Sequence, residues 1–226
     1  KTPEGADVTD TVDHQVFFND QELQEHWGDD YDWKIARVRQ AVYQTKGDII
    51  TYDGRPITAT FFSTSNGYTE NSEEYWENEI PYLRSVESAW DTASPRYQSS
   101  KEFTVAEVES GLDVSLENGA VEVLSRTTGG RVEKLSIGGK ELTGREVREK
   151  LDLDSADFSF HINGNRVTVE TFGWGHGVGM SQYGADGMAQ DGYDYRQIIS
   201  HYYDGVRIMK ADQFLGESHH ISLVFG

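Results

Sequence analysis

Asp157-Phe158-Ser159-Phe160-His161-Ile162 and Arg166-Val167-Thr168-Val169-Glu170-Thr171-Phe172 alternate apolar and polar residues on either side of Asn163-Gly164. Alternation at period two predicts half-buried strands, and Asn-Gly tolerates the positive φ of a tight turn, so the stretch predicts an antiparallel hairpin. It runs directly into Gly173-Trp174-Gly175-His176-Gly177-Val178-Gly179-Met180-Ser181-Gln182-Tyr183-Gly184-Ala185. A hairpin feeding a glycine ribbon is not a βαβ crossover. It points to an α+β fold.

Working outward, Val121-Glu122-Val123-Leu124 and Val132-Glu133-Lys134-Leu135-Ser136-Ile137 read as strands joined near Gly129-Gly130. Thr104 with Glu107, and Thr143 with Glu146, have capping-box spacing and start short helices. Upstream, Asp20 is the expected N-cap of a short helix over Glu22–Trp27. A second helix is expected near Lys34–Lys46, with Ile35, Val38 and Val42 at helical spacing and Gly47 as its stop. Ile49–Tyr52 and Ile57–Phe62 flank Asp53-Gly54 and read as another hairpin. A last helix near Tyr195–Tyr203 begins at Asp194 with Gln197. The division expected is a mixed main domain, residues 1–98 with 170–226, and a smaller β-rich insert, residues 99–169, with no regular βαβ series.

The 226 residues carry 39 acidic and 20 basic side chains, a formal charge of −19. The basic residues are scattered, with Arg145, Arg148 and Lys150 mixed among glutamates, so no stripe suits a phosphate backbone and nucleic acid is not an expected partner. There is no cysteine, which excludes disulfides, thiolate catalysis and cysteine-ligated zinc. No apolar run approaches the ~20 residues that span a bilayer, and Lys1–Asp13 is polar and acidic. An anchor or export signal is therefore expected only outside this sequence. The seven histidines show no ligand pair at helical spacing; His219-His220 sit near the tail, and His14 and His26 lie far upstream.

Three segments are candidates for chemistry. In the glycine ribbon, Trp174, His176, Gln182 and Tyr183 are the groups left to project. An aromatic face beside hydrogen-bond donors suits a pyranose, whose C–H faces stack while its hydroxyls pair. A tight strand-to-helix turn explains the same glycines with no ligand at all. The second segment, Phe61–Trp76, is rich in hydroxyls and carboxylates: Ser63, Ser65, then Glu70, Glu73 and Glu74. A solvated turn is its plain alternative. The third, Pro81-Tyr82-Leu83-Arg84-Ser85-Val86 with Trp90-Asp91, offers Tyr82, Arg84 and Asp91. There the plain alternative is an Arg84–Asp91 surface pair.

In this order the segments resemble the stage II sporulation protein D family, whose domain is shared with the amidase-enhancer proteins. The likeness runs from Val8-Thr9-Asp10-Thr11 to about Val206. It passes through Ser63-Thr64-Ser65-Asn66-Gly67, Thr69-Glu70-Asn71-Ser72-Glu73, Pro81–Val86 and Thr143-Gly144-Arg145-Glu146-Val147-Arg148. The resemblance implies a lytic transglycosylase acting on peptide-stripped peptidoglycan during septal wall thinning and forespore engulfment. Such an enzyme works at the extracytoplasmic septal membrane face, with an amidase and a membrane anchor protein as partners. The alternative is a non-catalytic, amidase-enhancer-type glycan-binding module; a structural septal protein is a third reading. The family's catalytic glutamate lies in a helix upstream of the Val-Thr-Asp-Thr segment. Pro3-Glu4-Gly5-Ala6 does not match it, so no catalytic residue is expected within this chain and Glu70, in what reads as an exposed loop, is only a fallback. Some members hold zinc with His and Cys near the hydroxyl-rich loop. Phe62, Ser65, Tyr68 and Ser72 stand there instead, so neither metal nor cofactor is expected. The implied substrate-binding set is Ser63, Ser65, Tyr82, Arg84, Asp91, Trp174, His176, Gln182 and Tyr183, of which the last seven are expected to border one groove. In that set Arg84 is the expected partner of the muramic acid lactyl carboxylate.

Overall fold

The computed structural model describes residues 9–10, 16–116 and 121–214. The Val8–Thr11 start of the resemblance falls partly, and His14 and His219-His220 wholly, outside the described residues. The chain divides into two compact units, one of residues 1–48 with 210–226 and one of residues 49–209.

In the first unit, α1 (Asp20–Trp27) is capped by Asn19 rather than Asp20. The Asn19 side chain accepts from the Glu22 amide while Glu22 reaches back to the Asn19 amide, closing a capping box. The helix α2 (Tyr31–Gln44) starts one turn earlier than its apolar spacing predicts.

The second unit opens with β1 (Asp48–Tyr52) and β2 (Arg55–Pro56), a hairpin on Asp53-Gly54 whose second arm is only two residues long. Pro56 lacks an N–H for the ladder and ends the arm. The expected strand over Ile57–Phe62 is corrected accordingly: only β3 (Phe61–Phe62) pairs, and it pairs with the glycine ribbon. A short helix α3 (Ser72–Tyr75) follows.

From β4 (Gln98–Thr104) to β9 (Arg166–Phe172) the chain builds two antiparallel three-stranded sheets. The helix α4 (Val105–Leu112) leaves β4 on the Thr104–Glu107 box. Strands β5 (Val121–Arg126), β6 (Val132–Ile137) and β7 (Lys140–Thr143) form one sheet, and α5 (Gly144–Lys150) starts on the Thr143–Glu146 box. In the other sheet β9 lies between β4 and β8 (Asp157–Asn163). Its register runs from Phe172, opposite Gln98 and Asp157, to Arg166, opposite Thr104 and Asn163. The alternation read from the sequence is visible in burial: Val167, Val169 and Thr171 point inward. These elements enclose a core of Val108, Leu112, Val132, Leu135, Ile137, Val147, Phe158, Val167 and Val169.

The ribbon contains β10 (Met180–Ser181) and runs into α6 (Gln182–Gln190), which is followed by α7 (Tyr195–Tyr202) and β11 (Arg207–Lys210). The strand β11 joins β1, and β10 lies parallel to β3. A second core gathers Leu83, Val178, Met188, Ile198, Tyr202 and Tyr203. The architecture is α+β without a regular βαβ series. Among the described residues no helix is long and apolar enough to cross a membrane.

Candidate functional site

The glycine ribbon runs beside the hydroxyl-rich loop, bonded to it at several points, while Gly173 and Gly175 N–H donate to the Tyr97 and Asp154 carbonyls. Thr64 and Trp174 exchange both backbone bonds (3.1 and 2.7 Å), Glu70 N–H donates to the Gly177 carbonyl (2.8 Å), and Met180 N–H donates to Thr60 (3.1 Å). Gly173, Gly175, Gly177 and Gly179 all sit at positive φ, so the backbone coils between the projecting residues. At Gly177 the need is also spatial. A Cβ there would stand 2.5 Å from the guanidinium carbon of Arg131.

Two buried carboxylates fasten this assembly. Asp91 is fully buried and accepts four hydrogen bonds: Ser65 N–H (2.9 Å) and Ser181 Oγ (2.5 Å) on Oδ1, Ser65 Oγ (2.8 Å) and Ser88 Oγ (2.6 Å) on Oδ2. Tyr202 Oη lies 2.6 Å from the same Ser88 hydroxyl, and burial pushes its phenol well above the usual range. Ser181 also caps α6, so one carboxylate ties the loop, the ribbon and the following helix together. Gly184 leaves the space this needs, since a Cβ there would stand 2.7 Å from Asp91 Oδ2.

The second carboxylate is Glu70, 2% exposed. Its Oε1 accepts from Arg131 Nη1 (2.7 Å) and Thr127 Oγ1 (2.9 Å), both from the turn between β5 and β6. Burial pushes the Glu70 carboxyl upward, with Arg131 and Thr127 opposing. Glu70 Oε2 and Arg131 Nε and Nη2 have no partner among the described residues. Beside the pair opens a cleft of about 340 Å³ lined by Glu70, Glu74, Tyr75, Arg131, Arg145 and His176, among others. His176 sits among the rings of Phe62, Tyr75 and Trp76, at centroid distances of 5.7, 5.6 and 5.4 Å. Its Nδ1 accepts from Val178 N–H (3.1 Å). Burial, helped by the charges of Arg148 and Arg131 and opposed by the Phe61 carbonyl, lowers its pKa to about 4. The imidazole is neutral at pH 7.

This geometry revises several expectations. Glu70 is not in an exposed loop; it is a buried half of an ion pair, and neither oxygen is open to a ligand. Asp91 and Ser65 are buried and occupied with each other, so they hold the site rather than touch a substrate. Arg84 does not pair with Asp91. It forks onto Glu73, drawing that carboxyl down to about 2, donates to the Leu83 carbonyl, and has Glu79 at 3.6 Å, so it has little capacity left for a lactyl carboxylate. Tyr82 packs on Tyr52 (5.5 Å), accepts from Thr58 N–H and borders a separate hollow with Asp53 and Ile57.

Of the nine residues in the expected substrate-binding set, seven of them expected around one groove, His176 alone lines the cleft beside Glu70. Ser63, Trp174 and Tyr183 are brought together differently, and Gln182 opens α6. The Ser63 carbonyl accepts from Tyr183 N–H (3.1 Å), the adjacent Thr64 pairs with Trp174, and Trp174 and Tyr183 are each 36% exposed. The guanidinium of Arg96 lies 4.5 Å over the Trp174 ring. Sequence reasoning missed Arg131, Ser88, Ser181 and Arg96. Only Ser88, three residues before Asp91 at the start of a short 3-10 turn, had a local signal. Among the described residues no three His, Cys, Asp or Glu side chains stand together as a metal site would require.

Fold and site define an α+β domain in which a glycine ribbon, tied through Ser181 to the buried Asp91 carboxylate, presents Trp174 and Tyr183 at the surface. The chain is 48% identical over 219 residues to "Stage II sporulation protein D" of Bacillus subtilis (strain 168), covering 96% of the chain and 64% of that protein. It is 47% identical over 215 residues to the protein of the same name from Bacillus amyloliquefaciens, covering 94% of the chain and 62% of that protein. A more distant relative, 27% identical over 264 residues, is the "Amidase enhancer" of Bacillus subtilis (strain 168), with 92% of the chain and 36% of that protein covered. No protein-family model matches. The resemblance to the stage II sporulation protein D family therefore holds across nearly the whole chain, which itself spans under two thirds of the two relatives bearing that name.

Proposed function

We propose that this chain is the glycan-binding part of a peptidoglycan lytic transglycosylase that acts on peptide-stripped strands during septal wall thinning and engulfment. The observation that carries the reading is the exposure of Trp174 and Tyr183, whose backbones bond to the adjacent Thr64 and Ser63, next to Ser65 on the Asp91 anchor. A pre-formed aromatic platform with hydroxyls beside it binds a sugar face at little entropic cost. The names of the relatives support the sporulation setting, and the amidase enhancer among them supports the cell wall as its place. An amidase, which would supply the stripped strands, and a membrane anchor protein are the partners this setting implies. The site of action is the extracytoplasmic face of the septal membrane.

The reaction cleaves the β-1,4 bond from N-acetylmuramic acid to N-acetylglucosamine without water. A carboxyl group protonates the leaving oxygen, the muramic C6 hydroxyl closes on C1, and the same carboxylate takes the hydroxyl proton. Glu70 is an unsuitable acid, because the side chain is buried, with Oε1 held by Arg131 and Thr127 and Oε2 enclosed without a partner. We assign the proton transfer to the carboxylate that the resemblance places before Val8. The second reading, an amidase-enhancing binding module, draws on the 27% identical relative and on the same burial of Glu70.

The test is incubation with peptide-free glycan strands and mass spectrometry for anhydro-muramic products. The chain alone is expected to bind without cleaving. A longer chain carrying the upstream helix is expected to produce the anhydro ends, and to lose them when that helix's glutamate becomes alanine. A longer chain that binds and never cleaves would favour the enhancer reading.

A further inference from the structure

The helix α2 contains no buried residue. Its 14 residues are close to the length below which an isolated helix is marginal in water, where a covered apolar face supplies most of the stability. Such a face is present. Tyr31, Ile35, Val38 and Val42 follow one another at spacings of four, three and four, the alternation by which two helices pack along a seam. The helix α1 reaches that seam at its first residue, where Tyr31 meets the Trp27 ring at 6.2 Å. Further along, Val38 and Val42 are 49% and 64% exposed. They border an open hollow of about 520 Å³ together with Tyr43, Thr45, Arg39 and Lys46.

Charge decides what fits there. The chain has 39 acidic and 20 basic side chains, but residues 31–46 reverse the balance, with Lys34, Arg37, Arg39 and Lys46 against Asp32 alone. Lys34 is tied to Asp30 (3.0 Å), whereas Arg39 and Lys46, the two charged groups of the hollow, have no acidic partner among the described residues. We infer that this face of α2 docks an acidic amphipathic helix of a partner protein, with apolar residues on Val38 and Val42 and carboxylates toward Arg39 and Lys46. A second copy of the chain presents the same cations, so self-pairing sets like charge against like. An anionic membrane fits less well. Helical spacing puts Trp33 on the side of α2 away from Val38 and Val42, and a helix lying in a membrane interface keeps its aromatic residues on the apolar side. The inference stands apart from the glycan reading and does not depend on it.

The test titrates the folded chain with two synthetic helices that share one leucine seam, one flanked by glutamates and the other by lysines, and with phosphatidylglycerol vesicles. The glutamate helix is expected to bind about tenfold more tightly than the lysine helix, the scale of two exposed ion pairs gained against two like-charge contacts. The gap should narrow as salt is added. Reversing the hollow's charge with Arg39→Glu and Lys46→Glu together should invert the preference, a result that loss of folding cannot imitate. Val42→Asp should weaken binding of both helices. Equal binding of the two, a preference unchanged by the charge reversal, or no binding of either would overturn the inference. Vesicle binding in their place would assign the face to a membrane, and a dimer in sedimentation that Val42→Asp dissolves would assign it to a second copy; each would overturn it too. So would stronger hydrogen-exchange protection of residues 38–46 in a longer chain with no partner added, which would seat a segment of the same protein there.

Discussion

Asp91 and Glu70 are both buried carboxylates within the segments that carry the family resemblance, yet they are satisfied in opposite ways. Asp91 has no ion-pair partner among the described residues and is met by four donors, three of them serine hydroxyls and one a backbone amide. Glu70 has a full cation, but its second oxygen and two of the Arg131 nitrogens are left without partners. Hydrogen-bonded dipoles satisfy a buried charge at both oxygens; a single ion pair satisfies one side and leaves the remainder desolvated. The first arrangement is an anchor within one core. The second is a cross-tie from the loop before α3 to the β5–β6 turn, at the edge of a cleft.

The largest expected effect follows from that difference. Asp91→Ala removes the acceptor of four buried donors, each costing ~1–3 kcal/mol when orphaned, so a loss above ~4 kcal/mol is expected by urea unfolding. A loss under ~1 kcal/mol would show that the serines find other partners and that the anchor is not one. Next in size is Arg131→Met, expected to cost ~3–5 kcal/mol by stranding Glu70. Adding Glu70→Leu should recover most of it, because an apolar pair of similar volume avoids the desolvation cost. A double variant as unstable as the single would mean that the pair holds the cleft in shape for reasons other than charge.

His176 gives the smallest effect and sharpens the comparison from the cleft side. Its folded pKa of about 4 lies below the unfolded value near 6.5, so the unfolded chain binds the extra proton between those limits. Stability is fully present above pH 6.5 and falls as the pH drops toward 4. In His176→Gln that part of the pH profile should flatten, measured as midpoint against pH. An unchanged slope would place the imidazole in contact with water rather than among its three rings.

What was legible in the sequence was local. The 157–172 hairpin and the Thr104, Thr143 and Asp194 capping boxes formed as read, because a turn type or an i,i+3 pairing is decided within a few residues. The site was legible only in part. Arg131 lies 61 residues from Glu70, and Ser181 lies 90 from Asp91, and no periodicity encodes such partners. Phe61-Phe62 looked like the end of a hairpin arm for the same reason: its true partner, Met180-Ser181, is a parallel strand more than a hundred residues away. The aromatic residues of the ribbon were identifiable from composition, but which of them faced solvent was not. Trp174 emerged at the surface while His176, two residues on, turned into the cleft.

On the proposed function, glycan is held on the Trp174 surface and not over Glu70. Titration of the chain with peptide-free glycan strands, alongside Trp174→Ala and Glu70→Gln variants whose folding is verified by circular dichroism, tests it directly. An affinity loss of about tenfold is expected for Trp174→Ala, the scale of one aromatic stacking contact, with near-unchanged binding for Glu70→Gln. Binding that survives Trp174→Ala and disappears in a folded Glu70→Gln variant would contradict it and move the site into the cleft.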